Sequence, residues 1–206
     1  MLKKLFARQS APAPVRKEIV VVSGLPRSGT SMMMKMLEQG GLEIVTDALR
    51  SADDDNPNGY YEFETVKQLP EGQIDWLDGA QGKVVKVISA LLEYLPAQYH
   101  YKIIFMERAI GEVLASQKKM LANRQEASTV SDAEMQDQFQ KHVMAAKYWL
   151  ARQPNLSVLY VDYNKMLSAP DALCQSVADF VDMGLDVDKM RAVPNERLYR
   201  NRVPRP

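Results

Sequence analysis

Eight residues near the start of the chain, Gly24-Leu25-Pro26-Arg27-Ser28-Gly29-Thr30-Ser31, combine two glycines, three hydroxyls and one guanidinium. Before them stands Ile19-Val20-Val21-Val22, a β-branched run that suits a short strand buried on both faces. After them a helical run reaches Gly40-Gly41. A glycine-bounded loop between strand and helix lets several backbone N–H groups converge on one point, which the positive end of the helix dipole also faces. That chemistry is the holding of a phosphate. The spacing G-x-x-x-x-G-T-S differs from the loop of nucleotide triphosphatases at one position, the lysine after the second glycine. A kinase or GTPase needs that lysine to reach the β- and γ-phosphates. Thr30 stands there instead, and Arg27 is the loop's only cation, so a ligand with a different terminal group is expected.

A second constellation lies downstream. Lys102 to Met106 (KIIFM) reads as a strand, and it runs into Glu107-Arg108 and a helix through Val113, Leu114, Gln117, Met120 and Leu121. Arg108 therefore falls just past a strand's carboxyl end, where open α/β sheets bind ligands. Ser116 follows eight residues later, about two turns into the helix. An arginine there suits a phosphate, because its planar fork donates two hydrogen bonds to one group. The chain has two histidines, His100 and His142, and neither falls in a motif. His100 precedes the strand and so belongs at the opposite end of the sheet, while His142 borders an apolar stripe. Lys86, in the run Lys83 to Ile88 (KVVKVI), is a further cation able to reach the site or an ordinary edge lysine.

Pro26-Arg27-Ser28-Gly29-Thr30-Ser31 resembles the 5′-phosphosulfate loop of the sulfotransferase family, which runs Pro, Lys or Arg, Ser-Gly-Thr and a small hydroxyl residue. Arg108 with Ser116 resembles the pair by which that family holds the 3′-phosphate of its cofactor. The stretch Asn56-Pro57-Asn58-Gly59-Tyr60-Tyr61-Glu62 resembles an Asn-Pro-x-Gly-aromatic-aromatic-Glu element of bacterial members. The resemblance implies 3′-phosphoadenosine 5′-phosphosulfate as cofactor and adenosine 3′,5′-bisphosphate as its desulfated product. It implies that Arg27 and Thr30 hold the 5′-phosphosulfate, with Pro26, Ser28, Gly29 and Ser31 completing the loop. Arg27 would polarise the leaving group, and Glu62 would be the general base, as a glutamate is in carbohydrate-sulfating members, with the neighbouring Glu64 or another residue as the open alternative. Such a base needs a carboxyl pKa raised by burial. Cytosolic members close over the 3′-phosphate with an Arg-Lys-Gly-x-x-Gly element. In its place stands Arg197-Leu198-Tyr199-Arg200-Asn201-Arg202-Val203-Pro204-Arg205-Pro206, and Arg200 is expected in the closing role. The acceptor would be a hydroxyl or amine of a small molecule or saccharide. Two other readings stay open: a nucleotide kinase or NTPase with a degenerate loop, and a catalytically silent nucleotide-binding member.

The elements that must position these residues follow from periodicity. Leu42 to Val45, Lys83 to Ile88 and Ser157 to Val161 join the two strands above. Ser131 with Glu134 forms a capping box, opening a helix whose Met135, Phe139, Val143, Ala146 and Leu150 make one stripe. Ser168-Ala169-Pro170 starts another, with Leu173, Val177 and Phe180 facing inward. Strands alternating with helices predict a three-layer α/β fold, a central parallel sheet of about five strands flanked by helices. The resemblance makes it P-loop NTPase-like. Residues 18–206 are expected to be one domain, preceded by a basic arm, 1–17, with Lys3, Lys4, Arg8, Arg16 and Lys17 and no acid. Over 206 residues, 26 basic side chains balance 26 acidic ones, so no overall field favours nucleic acid. No apolar run approaches the length of a membrane span. The single cysteine, Cys174, rules out an intrachain disulfide framework and suits the cytoplasm, as a small core residue. No His/Cys/Asp cluster has metal-ligand spacing, and no metal is expected. The oligomeric state is left open.

Overall fold

The computed structural model describes residues 17–47, 59–123, 125 and 130–194. Arg200 and residues 1–16 and 48–58 lie outside them, and so does most of the expected basic arm. Five strands form one sheet: β1 (Ile19–Gly24), β2 (Ile44–Val45), β3 (Val84–Lys86), β4 (Tyr101–Glu107) and β5 (Leu156–Asp162). Every pairing is parallel, in the order β2-β3-β1-β4-β5. Parallel neighbours need crossovers, and the crossing segments cover both faces of the sheet. β1 is central and all six of its residues are buried, which suits the apolar run Ile19–Val22 that makes up most of it.

Side chains alternate across a strand, so each face builds its own core. Val20, Val22, Val84, Ile104, Met106 and Val161 face α1 (Thr30–Gln39) and a carboxyl-terminal layer. That layer is α5 (Tyr163–Ser168), α6 (Pro170–Val181) and α7 (Val187–Arg191). Ile19, Val21, Val85, Ile103 and Phe105 face the 3-10 turns Glu64–Glu71 and Ser89–Tyr94 and the short α2 (Leu77–Ala80). Between β4 and β5 lie α3 (Ile110–Asn123) and α4 (Asp132–Leu150). Cys174 is fully buried in the first core, as expected of a small apolar-like residue.

Several local expectations hold. Ser131 and Glu134 make both halves of the capping box, and Pro170 occupies the first turn of α6. Others are corrected. The third strand is shorter than Lys83 to Ile88: Lys83 N–H closes a turn on Ala80 O, and Ile88 leaves the sheet, 44% exposed. Lys86 is not on an edge strand, because β2 covers the outer side of β3. The stripe of α4 is buried only at Leu150, with Met135, Phe139, Val143 and Ala146 half-buried. Most of α4 rests on α3 and the Ser89–Tyr94 turn rather than on the sheet, so it meets the deep core only in its last turn.

Candidate active site

The chain leaves β3 on one side of β1 and enters β4 on the other, which places a crevice at the carboxyl end of β1. Register brings the ends together. Gly24 lies opposite Met106, Val22 opposite Lys86, and Glu107 opposite Asp162. Loop 24–29, the segment after Lys86, Arg108 and Tyr163 therefore all emerge at the same rim.

Two glycines make the loop possible. Gly24 has φ 145°, and a Cβ there would meet Ser28 Oγ at 2.6 Å and Met106 O at 2.7 Å. Gly29, at φ 101°, caps α1 and lies against the Tyr163 ring, where a Cβ would fall 2.3 Å from Cδ2. Ser28 N–H donates to Leu25 O at 3.1 Å and Met33 N–H to Gly29 O at 3.1 Å, closing the turn into the helix. Thr30 is the first residue of α1, so the helix's opening N–H groups, which lack intrahelical acceptors, belong to the residues the sequence singled out. Arg27 is held at φ 69°, a left-handed conformation that costs an L residue about 1–2 kcal/mol.

That strain is countered from across the sheet. Arg27 Nε donates to Ser116 Oγ at 3.0 Å, and Arg108 Nη1 donates to Arg27 O at 3.1 Å. The loop and the Arg108–Ser116 pair, read from the sequence as separate anchors, are thus bonded to each other. Arg108 is itself gripped: its Nε donates to Glu112 Oε2 at 3.0 Å, and its guanidinium sits 4.5 Å over the Tyr163 ring. Glu112 also accepts from Asn164 Nδ2 at 3.1 Å. Burial raises the Tyr163 phenol pKa and the Glu112 carboxylate adds to it, while Arg108 and Arg27 pull the other way.

Glu112, Tyr163 and Asn164 were not among the sequence candidates. Signals for them existed: Arg108 and Glu112 form an i,i+4 opposite-charge pair, and Tyr163-Asn164 directly follow a strand's carboxyl end.

The described part of the Asn-Pro element, from Gly59 on, reaches the same rim. Thr46 Oγ1 donates to Glu62 O at 2.8 Å, and Glu64 N–H donates to Asp47 Oδ2 at 2.6 Å, tying the segment to the end of β2. Tyr61, at φ 50°, donates its hydroxyl to Glu38 Oε2 of α1 at 2.7 Å. Glu62 Oε1 then lies 4.0 Å from Lys86 Nζ, which donates to Tyr60 O. His100 sits at the other end of the sheet, its carbonyl accepting from Ile19 N–H. His142 Nε2 is 2.8 Å from Ser89 Oγ, beside a cavity of about 160 Å³ walled by Trp149, Ala145 and Ala146.

Ser28 Oγ is buried, 1% exposed for the residue, and has no hydrogen-bond partner. A buried hydroxyl without a partner is costly, and next to a helix N-terminus its natural complement is an anion's oxygen. Arg27, Ser116 and Arg108, bonded to one another at the same rim, add donors to it, a set that fits a nucleotide carrying phosphates at two positions. Among the described residues no cluster of His, Cys, Asp and Glu could hold a metal.

No protein-family profile and no curated protein matches the sequence. Solved structures do. Mouse sulfotransferase SULT7A1, complexed with PAP, superposes with a TM-score of 0.55 at 15% identity, over 92% of this chain and 69% of that one. The chain has the sulfotransferase fold. Retinol dehydratase, in complex with androsterone and inactive cofactor PAP, gives a TM-score of 0.49 at 18% identity over 89% of this chain and 65% of its own. A sugar kinase from Janibacter sp. HTCC2649 gives 0.47 at 15% identity over 87% and 99%. On this sulfotransferase fold, no described helix is long and apolar enough to cross a membrane.

Proposed function

We propose that this protein is a sulfotransferase that moves a sulfuryl group from 3′-phosphoadenosine 5′-phosphosulfate to a hydroxyl or amine of a small-molecule or saccharide acceptor. The observation that carries the reading is the contact of Arg27 Nε with Ser116 Oγ, which brings together, from 89 residues apart, the two elements read here as phosphate anchors. A triphosphate has no use for the second element. Bound there, the cofactor supplies an activated sulfuryl group attached to its 5′-phosphate.

The chain's residues have distinct tasks. The opening N–H groups of α1, the hydroxyls of Ser28, Thr30 and Ser31, and the Arg27 guanidinium hold the 5′ end. Arg27 stabilises the negative charge that grows on the leaving oxygen, a use of a preformed cation where charge develops. Ser116 accepts from Arg27, so its own O–H proton remains available to donate to a 3′-phosphate oxygen. A guanidinium has five N–H donors, so Arg108 can meet that phosphate while keeping its bonds to Glu112 and Arg27. Glu62 accepts the acceptor's proton at a carboxylate oxygen, and Lys86 beside it steadies the charge around the incoming group. The remaining catalytic demand is positioning donor and acceptor in line.

Calorimetric titration with adenosine 3′,5′-bisphosphate, run beside ATP with magnesium, tests the reading. Micromolar binding of the bisphosphate and none of ATP is expected. Arg108→Ala should weaken the bisphosphate much more than its 3′-dephospho analogue. Binding of ATP alone, or equal losses for both analogues, would overturn the assignment.

A further inference from the structure

Glu112 is a carboxylate in a place that exacts a desolvation cost. Its side chain is 3% exposed and that of Arg108 is 7% exposed. A buried ion pair is a poor way to gain stability, since apolar residues of similar volume do as well or better. What it does confer is orientation. The two oxygens of Glu112 bind different elements, Oε2 accepting from Arg108 Nε and Oε1 from Asn164 Nδ2 at the start of α5. Arg108 is thereby fixed on three sides: Glu112 at Nε, the Arg27 carbonyl at Nη1, and the Tyr163 ring beneath its plane. Tyr163 and Asn164 are neighbours in α5, so one short helix sets both the platform under the guanidinium and the acid at its side.

We propose that Glu112 is a positioning residue that sets the protein's selectivity for a 3′-phosphorylated nucleotide. It does so by clamping the Arg108 guanidinium between α3 and α5. The proposal rests on the reading of Arg108 as the 3′-phosphate ligand. A long arginine side chain loses much rotamer freedom when it is ordered. Glu112 meets that cost before the ligand arrives, which is preorganisation. A phosphate that meets a preset fork gains two aligned charge-assisted bonds. One that meets a swinging side chain gains less, and a nucleotide without the 3′-phosphate is indifferent.

Glu112→Gln keeps the shape but offers one acceptor oxygen where two donors converge, so one of the two contacts is lost. The first readout is the Nε–Hε NMR signal of Arg108, assigned by its disappearance in Arg108→Lys. In the wild type it should be shifted and slow to exchange, and in Glu112→Gln it should move toward the position of exposed arginines. The second is calorimetry with adenosine 3′,5′-bisphosphate and with AMP. Glu112→Gln should weaken the bisphosphate roughly ten- to hundredfold, the loss of one charge-assisted bond. AMP binding should stay within about twofold. Asn164→Ala, which removes only the support at Oε1, should move the same two readouts in the same direction by less, and serves if Glu112→Gln does not fold. Equal losses for bisphosphate and AMP, or full selectivity retained with an unchanged Arg108 signal, would overturn the proposal while leaving the site assignment intact. Wild-type protein that binds neither nucleotide would overturn the assignment and the proposal together.

Discussion

Replacing Gly29 by alanine tests whether the loop is pressed against α5 as described. Two costs add. An L residue at φ 101° adopts a left-handed backbone, worth about 1–2 kcal/mol. The new methyl also lands 2.3 Å from Tyr163 Cδ2, on a ring that already packs against the Arg108 guanidinium, so the ring has little room to give way. Overpacking of that kind costs about 1–3 kcal/mol. The expected loss is therefore about 2–5 kcal/mol. That is large against a typical stability of about 5–15 kcal/mol, yet it leaves a folded population to study. Urea denaturation with an unchanged slope measures it. Tyr163→Ala in the same background removes the ring, so the two substitutions should couple: only the backbone share of the Gly29→Ala cost should remain in the double variant. Bisphosphate affinity should fall with Gly29→Ala, because the loop's N–H groups move with the residue. A cost under about 1 kcal/mol, or strict additivity with Tyr163→Ala, would refute the packing argument.

Arg27→Ala should reduce turnover by roughly 10²–10³-fold, the range for losing one donor to the transition state, and unchanged turnover would remove Arg27 from the chemistry. Cys174 is fully buried against Met166, and burial raises its thiol pKa, so a thiol reagent should label the native protein slowly and at one site only after denaturation. Rapid labelling would contradict the core assignment. The phenols of Tyr61, Tyr101 and Tyr163 are all pushed above the ordinary tyrosine value, each chiefly by burial, and Tyr61 also by the Glu38 carboxylate. The folded state keeps these protons after the unfolded chain starts to lose them near pH ~10. Their contribution is thus complete below pH ~10 and is lost as pH rises through the folded values, so the urea midpoint should decline steadily above pH ~10. A flat or rising midpoint there would contradict it.

The candidate site was legible where its determinants are local. Ile19–Val22, the two glycines and the hydroxyls of residues 28–31 define strand, turn and helix start within one short stretch, because backbone freedom and dipole direction depend on neighbours in sequence. Arg108 and Ser116 were legible for the same reason, as a strand end followed by a helix of known pitch. The boundaries of β3 and the true exposure of α4 were not. Apolar spacing reports that a face is apolar without saying which element covers it. What only the tertiary structure decided is how these parts hold each other. The left-handed turn at Arg27, its bond to Ser116, the two partners of Glu112 and the Tyr163 ring under Gly29 all depend on β1, β4 and β5 lying side by side in parallel register. That register arises from pairings between segments roughly 50 to 90 residues apart, and no periodicity or spacing within a single stretch of chain encodes it.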